Sequence, residues 1–174
     1  MTRKLICSAL VLTLCTGSLL SPAYAAVYSN GTATATFLVS LTLQANCGIT
    51  ANPLNFGTTG VLTAAVNQSS TLSITCSNTT PYNIGLDAGT VAGSTVAARL
   101  MAGTTAGNTG TTVAFELYQD SGHLTLFGNT QGTNTEAGTG NGSAQTVTVY
   151  GQVPTQTTPK PDTYDTTVTA TVYF

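Results

Sequence analysis

The chain has 174 residues, of which only 6% are charged, with 18 glycines, no tryptophan and a formal net charge of −2. Without a leader, that length fits one domain. Four Lys and Arg residues are too few to neutralise a phosphate backbone or to bind an anionic membrane, so nucleic acid and charged lipid surfaces are excluded as partners.

The first element is an export signal over residues 1–25. Arg3 and Lys4 precede an apolar run from Leu5 to Leu20, and Pro22 with Ala23-Tyr24-Ala25 forms a small-x-small cleavage site before Ala26. The run is short for a membrane span, which needs about 20 apolar residues. Leu14 stands before Cys15, where a lipoprotein signal would place a small residue. Cleavage leaves Arg99 and Lys160 as the cations, facing Asp87, Glu116, Asp120, Glu136, Asp162 and Asp165. Thr, Ser, Asn, Gln and Gly must then solvate the surface, and few charges remain to keep sheet edges apart.

The mature chain shows no helical period. Short runs of period two recur instead, separated by Gly, Pro, Asn and Ser clusters. Ala33 to Cys47 alternates through Ala35, Phe37, Val39, Leu41, Leu43 and Ala45. Leu72, Ile74 and Cys76 alternate with Thr71, Ser73 and Thr75, and Tyr82, Ile84 and Leu86 follow Pro81. Val113, Phe115 and Leu117 lead into a turn at residues 119–122, from which His123 to Phe127 returns. Residues 128–143 are a long polar, glycine-rich loop. Val147, Val149 and Val153 form another strand. Val168, Ala170, Val172 and Phe174 alternate with Thr167, Thr169, Thr171 and Tyr173 in the last strand, which runs to the end of the chain. About seven short strands at this spacing predict an all-β sandwich.

Cys47 and Cys76 are the two cysteines left after cleavage. In an exported chain an even count reads as a disulfide. Two free thiols or two metal ligands are the alternatives, and two cysteines with one distant histidine make a poor zinc site. His123 is the single histidine. Asp120 and Ser121 lie too near it in one turn to assemble a triad. Asp162 and Asp165, the closest carboxylates, read as a solvated turn. No catalytic, cofactor or metal site is expected, and a secreted enzyme is disfavoured. Asn30, Asn67, Asn78 and Asn141 open Asn-x-Ser/Thr triplets, which indicate surface and nothing more.

The order of motifs resembles the spore coat protein U family, which includes the Csu-type pilins of archaic chaperone–usher pili. The matching segments are Gln44-Ala45-Asn46-Cys47, Pro53-Leu54-Asn55-Phe56-Gly57, Ile74-Thr75-Cys76-Ser77-Asn78, Pro81-Tyr82 with Leu86-Asp87-Ala88-Gly89, Leu117-Tyr118-Gln119-Asp120, Phe127-Gly128, residues 148–154 and the final strand from Tyr164. The family usually has a glycine shortly before the final tyrosine, where this chain has Asp162-Thr163, and a residue between that tyrosine and the aspartate, where Tyr164 and Asp165 are adjacent.

The resemblance implies an incomplete immunoglobulin-like β-sandwich completed by donor-strand exchange. It implies a partner set as well: a periplasmic chaperone, an outer-membrane usher, and identical or homologous subunits by strand exchange, with no nucleic acid and no small-molecule substrate. The expected donor is the extension at residues 26–37, with Val27, Ser29, Gly31, Ala33, Ala35 and Phe37 on one face, ahead of a pilin domain at 38–174; an ordinary first strand of a closed sandwich, with alternation unbroken into Cys47, is the alternative. The expected acceptor groove and chaperone contact are Val168, Ala170, Val172, Tyr173 and Phe174. The function implied is an exported structural subunit of a surface pilus, serving adhesion and biofilm formation, or of a spore or cell coat. A surface adhesin of the same system is the alternative.

Overall fold

The computed structural model describes residues 30–174. The export signal, Val27 and Ser29 lie outside the described residues. The chain divides into an N-terminal unit ending at Ser40 and a second unit, Leu41–Phe174. Described residues 30–46 form no strand, and all are exposed.

Nine strands build the second unit: β1 (Cys47–Ala51), β2 (Val66–Cys76), β3 (Pro81–Leu86), β4 (Arg99–Gly103), β5 (Thr112–Tyr118), β6 (Glu136–Thr139), β7 (Ala144–Val153), β8 (Tyr164–Asp165) and β9 (Ala170–Tyr173). All pair antiparallel. One sheet runs β1-β2-β7-β5-β4-β8 and the other β6-β3-β9. Alternation sets which face is inside: Leu72 and Ile74 of β2, Val113, Phe115 and Leu117 of β5, and Val147 and Val149 of β7 are buried against Tyr82, Ile84 and Leu86 of β3. The two inward faces make one core, and the unit is an all-β sandwich.

Three expectations of the sequence are revised. The glycine-rich stretch at 128–143 contains β6, which pairs with β3 through Tyr82 opposite Gly138. The Tyr82 ring lies where a Cβ at Gly138 would stand, so a glycine is required for that strand to approach. Residues 123–127 do return beside β5, with the Gln119 N–H on the Thr125 carbonyl at 2.9 Å and the Phe127 N–H on the Leu117 carbonyl at 2.8 Å, but the pairing amounts to a single bridge between Leu126 and Tyr118 and not a strand. The Asp120 carboxylate accepts the N–H groups of Leu124 at 3.2 Å and Thr125 at 2.7 Å, and the chain curls with His123 at φ 56°.

The last strand is also not continuous. Tyr164–Asp165 pairs with β4 in one sheet, and Ala170–Tyr173 pairs with β3 in the other. Between them side chains take over most of the ladder, alongside one backbone bond from the Asp87 N–H to the Thr169 carbonyl at 3.1 Å. Asp87 Oδ1 accepts the Thr169 N–H at 2.9 Å, and Thr90 Oγ1 accepts the Thr167 N–H at 3.4 Å. The inward alternation survives the crossing, so Val168, Ala170 and Val172 all pack against the core.

Candidate strand-acceptor groove

A groove of about 1170 Å³ opens along one side of the sandwich. Residues 51–60 form one flank, and residues 158–168 with Ala170 form the other. Its floor is apolar, made by core residues including Leu72, Leu86, Met101, Phe115, Leu117 and Val149. At one end the walls come together where β1 lies beside β9. No ladder joins those two strands, so each is a sheet edge.

The first flank continues from β1. Asn52 still donates its N–H to the Thr71 carbonyl at 3.0 Å, and Ser70 Oγ donates to the Asn52 carbonyl at 2.8 Å. Beyond Pro53 the chain leaves β2, and Leu54 and Phe56 lean over Gly151 of β7. A Cβ there would come within 2.8 Å of Leu54 Cδ1 and 3.0 Å of Phe56 Cζ. Phe56 meets Phe115 edge-on, with ring centroids 6.2 Å apart. Among the described residues, the backbone N–H and C=O groups of Leu54 and Phe56 have no hydrogen-bond partner.

The second flank has the same property. Thr163, Thr167 and Thr169 turn their backbone groups toward Thr104, Thr90 and Asp87. Thr166 and Val168 turn theirs the other way, and among the described residues neither has a backbone partner. Two unpaired backbone edges above an apolar floor are what an absent β-strand leaves behind.

Two carboxylates hold this flank in place. Asp87 accepts the N–H groups of Thr169 and Gly89, each at 2.9 Å. Burial pushes its carboxyl upward, but those hydrogen bonds and the nearby Arg99 charge outweigh it and hold the group below the ordinary value. Asp162 accepts from Asn108 Nδ2 at 2.6 Å, Thr105 Oγ1 at 2.7 Å and the Thr163 N–H at 2.8 Å. These bonds keep it well below the usual carboxylate range. The residue that departs from the glycine expected before the last tyrosine therefore ties the start of the flank to the 104–108 loop.

The expected residues divide as follows. Val168 and Ala170 line the groove. Val172, Tyr173 and Phe174 lie past its closed end, around a shallower depression shared with Pro81 and Asn83. Phe174 is 60% exposed, and Tyr173 sits close to Gly85. Gly31, Ala33, Ala35 and Phe37 are exposed and belong to no strand. Cys47 and Cys76 are bonded, with Cα atoms 4.1 Å apart, and are register partners in β1 and β2.

The Spore Coat Protein U domain profile matches residues 33–171. The chain belongs to the Spore Coat Protein U domain family. Among solved structures, it is similar to a chain of the CsuC–CsuE chaperone–tip adhesion subunit pre-assembly complex from the archaic chaperone-usher Csu pili of Acinetobacter baumannii. That likeness has 25% identity and a TM-score of 0.54, and spans 76% of this chain and 40% of that one. No curated protein is a significant match. The fold is thus an immunoglobulin-like sandwich of the chaperone-usher subunit type, and in this Spore Coat Protein U domain it is open along the groove.

Two features of the site were not evident from the sequence of the domain. Arg99 is wholly buried. Its guanidinium donates to the carbonyls of Leu86, Asp87, Val96 and Phe127 at 2.6–3.0 Å and lies 3.7 Å from Glu116 Oε2. A signal existed: one of only four Lys and Arg residues stands in an otherwise apolar run, Ala98-Arg99-Leu100-Met101. The other feature is the extent of the unpaired apolar segment. Phe37, Val39, Leu41 and Leu43 are 79–85% exposed; their alternation was visible, but the donor was expected to end at residue 37, and alternation alone also fits a first strand.

Proposed function

We propose that this protein is an exported structural subunit of a chaperone-usher surface fibre, assembled by donor-strand complementation. The observation that carries the reading is the pairing of deficits in one chain. The groove lacks a strand, and an exposed segment has the alternation of a strand without a sheet. A strand laid between residues 54–56 and 166–168 would satisfy both free backbone edges and cover the floor. The exposed apolar residues extend the donor face from Ala35 and Phe37 through Val39, Leu41 and Leu43, beyond the boundary at residue 37. Each large side chain so buried contributes about 1.5–3 kcal/mol.

Donation from one subunit into the next is a heterologous contact, which propagates as an open filament. The resemblance to a Csu pre-assembly chain supports a periplasmic chaperone as the first occupant of the groove and an outer-membrane usher as the site of exchange. Export follows from the leader, and a surface location follows from assembly there. Adhesion and biofilm formation are the roles such a fibre serves.

The test is polymer formation by the full exported chain on denaturing gels without boiling. A ladder is expected, and deleting residues 30–43 should abolish it while leaving a chain that binds a peptide of residues 35–45. A ladder indifferent to the deletion would sink the reading.

A further inference from the structure

The groove closes toward β1, and the exposed segment is rooted at that closed end. Ala51 lines the groove, whereas residues 47–50 do not. β1 has five residues, so the groove begins five residue steps, about 16 Å, along the chain from Asn46 at a rise of about 3.3 Å per residue. The root is tied three ways. Cys47 is bonded to Cys76. Ser77 donates its N–H to the Asn46 carbonyl at 2.9 Å, and Asn46 donates its N–H to Ser77 Oγ at 3.1 Å. Ser77 Oγ also lies 3.3 Å from the Gln44 carbonyl.

We propose that the Cys47–Cys76 bond and Ser77 are positioning residues that direct the apolar segment into a neighbour's groove and away from its own. The inference rests on the strand-exchange reading. To enter its own groove the segment must reverse and run back past β1. Leu43 stands three residue steps from the tied Asn46, and three extended residues span at most about 11 Å. That is less than the roughly 16 Å from Asn46 to Ala51 at about 3.3 Å per residue, so Leu43 cannot reach. Leu41, five steps from Asn46, would reach only the mouth at Ala51, and Val39, Phe37, Ala35 and Ala33 would remain to fill the floor. A neighbour meets no such limit and receives all four large residues. The disulfide matters because it stops β1 peeling from β2, which would move the root toward the groove.

The decisive variant keeps the disulfide and inserts about ten Gly/Ser residues between Asn46 and Cys47, adding roughly 30 Å of reach. The readouts are the unboiled ladder and groove occupancy by a labelled peptide of residues 35–45. We expect the inserted chain to shift at least tenfold from polymer to folded monomer, with the groove closed to peptide. Cys47→Ser with Cys76→Ser should move the same way, more weakly. An inserted chain that polymerises like the parent, or a monomer whose groove still takes peptide, overturns the proposal. Peptide that fails to bind even the chain lacking residues 30–43 overturns the strand-exchange reading itself, and with it the proposal.

Discussion

Asp87 joins the buried arginine to the edge of the groove: its carbonyl accepts from Arg99 Nε at 2.9 Å, and its carboxylate accepts the Thr169 N–H at 2.9 Å. Arg99 also donates to the Phe127 carbonyl at 2.6 Å. The guanidinium therefore fixes the 86–87 and 126–128 segments together, and Asp87 carries that order to the strand that crosses between sheets. Burial lowers the affinity of Arg99 for its proton, while Glu116 and Asp87 oppose that shift.

Arg99→Met should destabilise the sandwich by about 3–5 kcal/mol, because a buried charge partner and four carbonyl bonds are lost together. Glu116, already pushed upward by burial, would then lose its counter-charge and shift further upward. Urea unfolding with a bound donor peptide measures the loss. A change under 1 kcal/mol would mean that the carbonyls find other partners.

Asp162 gives a pH signature. Its folded value lies below the ordinary carboxylate value, chiefly through Asn108 and Thr105. A depressed carboxylate contributes stability that is fully present above the unfolded value near 3.9. That contribution is lost as pH falls through the folded value. Asp162→Asn should lower the denaturation midpoint by a constant amount from pH 7 to about 4, with the gap to the parent narrowing below that. A gap that widens on acidification contradicts the assignment.

Gly151 tests the first flank. Its missing side chain is the space that Leu54 and Phe56 occupy. Gly151→Ala should cost about 1–3 kcal/mol by overpacking and should weaken peptide binding by displacing residues 54–56. Gly110 has open space around its Cβ position, so Gly110→Ala serves as the control and should stay within about 0.5 kcal/mol. Equal effects from the two substitutions would remove the flank from the argument.

Period-two alternation carried most of the architecture. β2, β3, β5 and β7 could be read from Leu72-Ile74, Tyr82-Ile84-Leu86, Val113-Phe115-Leu117 and Val147-Val149, because each buries one face and exposes the other. β4 and β6 were missed for opposite reasons. Arg99 and Gly103 break the apolar pattern of β4, and β6 is held by backbone pairing over Tyr82, with Ala137 its one apolar side chain. In the last strand Val168, Ala170 and Val172 pack against the core while Phe174 is exposed, and the change of sheet was not legible, since alternation is blind to which neighbour accepts the backbone. The 33–47 run was ambiguous for a deeper reason. A strand that seeks a sheet in another molecule has the same sequence pattern as one that has found its own.

That ambiguity is resolved by separating donation from acceptance. Leu41→Asp removes a buried leucine, worth about 1.5–3 kcal/mol, and asks the groove to take an unpaired carboxylate. Donation should weaken on the order of 10³-fold, while the groove of that chain is untouched. Val168→Arg does the reverse: the added length and charge obstruct the groove, and the exposed segment is unchanged. Each variant alone should yield no ladder. Mixed, they should join once, the segment of the Val168→Arg chain entering the groove of the Leu41→Asp chain, and then stop, because neither free end can extend. Unboiled gels of the mixture should show a 1:1 pair and nothing larger. A ladder from either variant alone, or no pair from the mixture, would show that the 37–43 segment and the 54–56/166–168 groove are not the two halves of one contact.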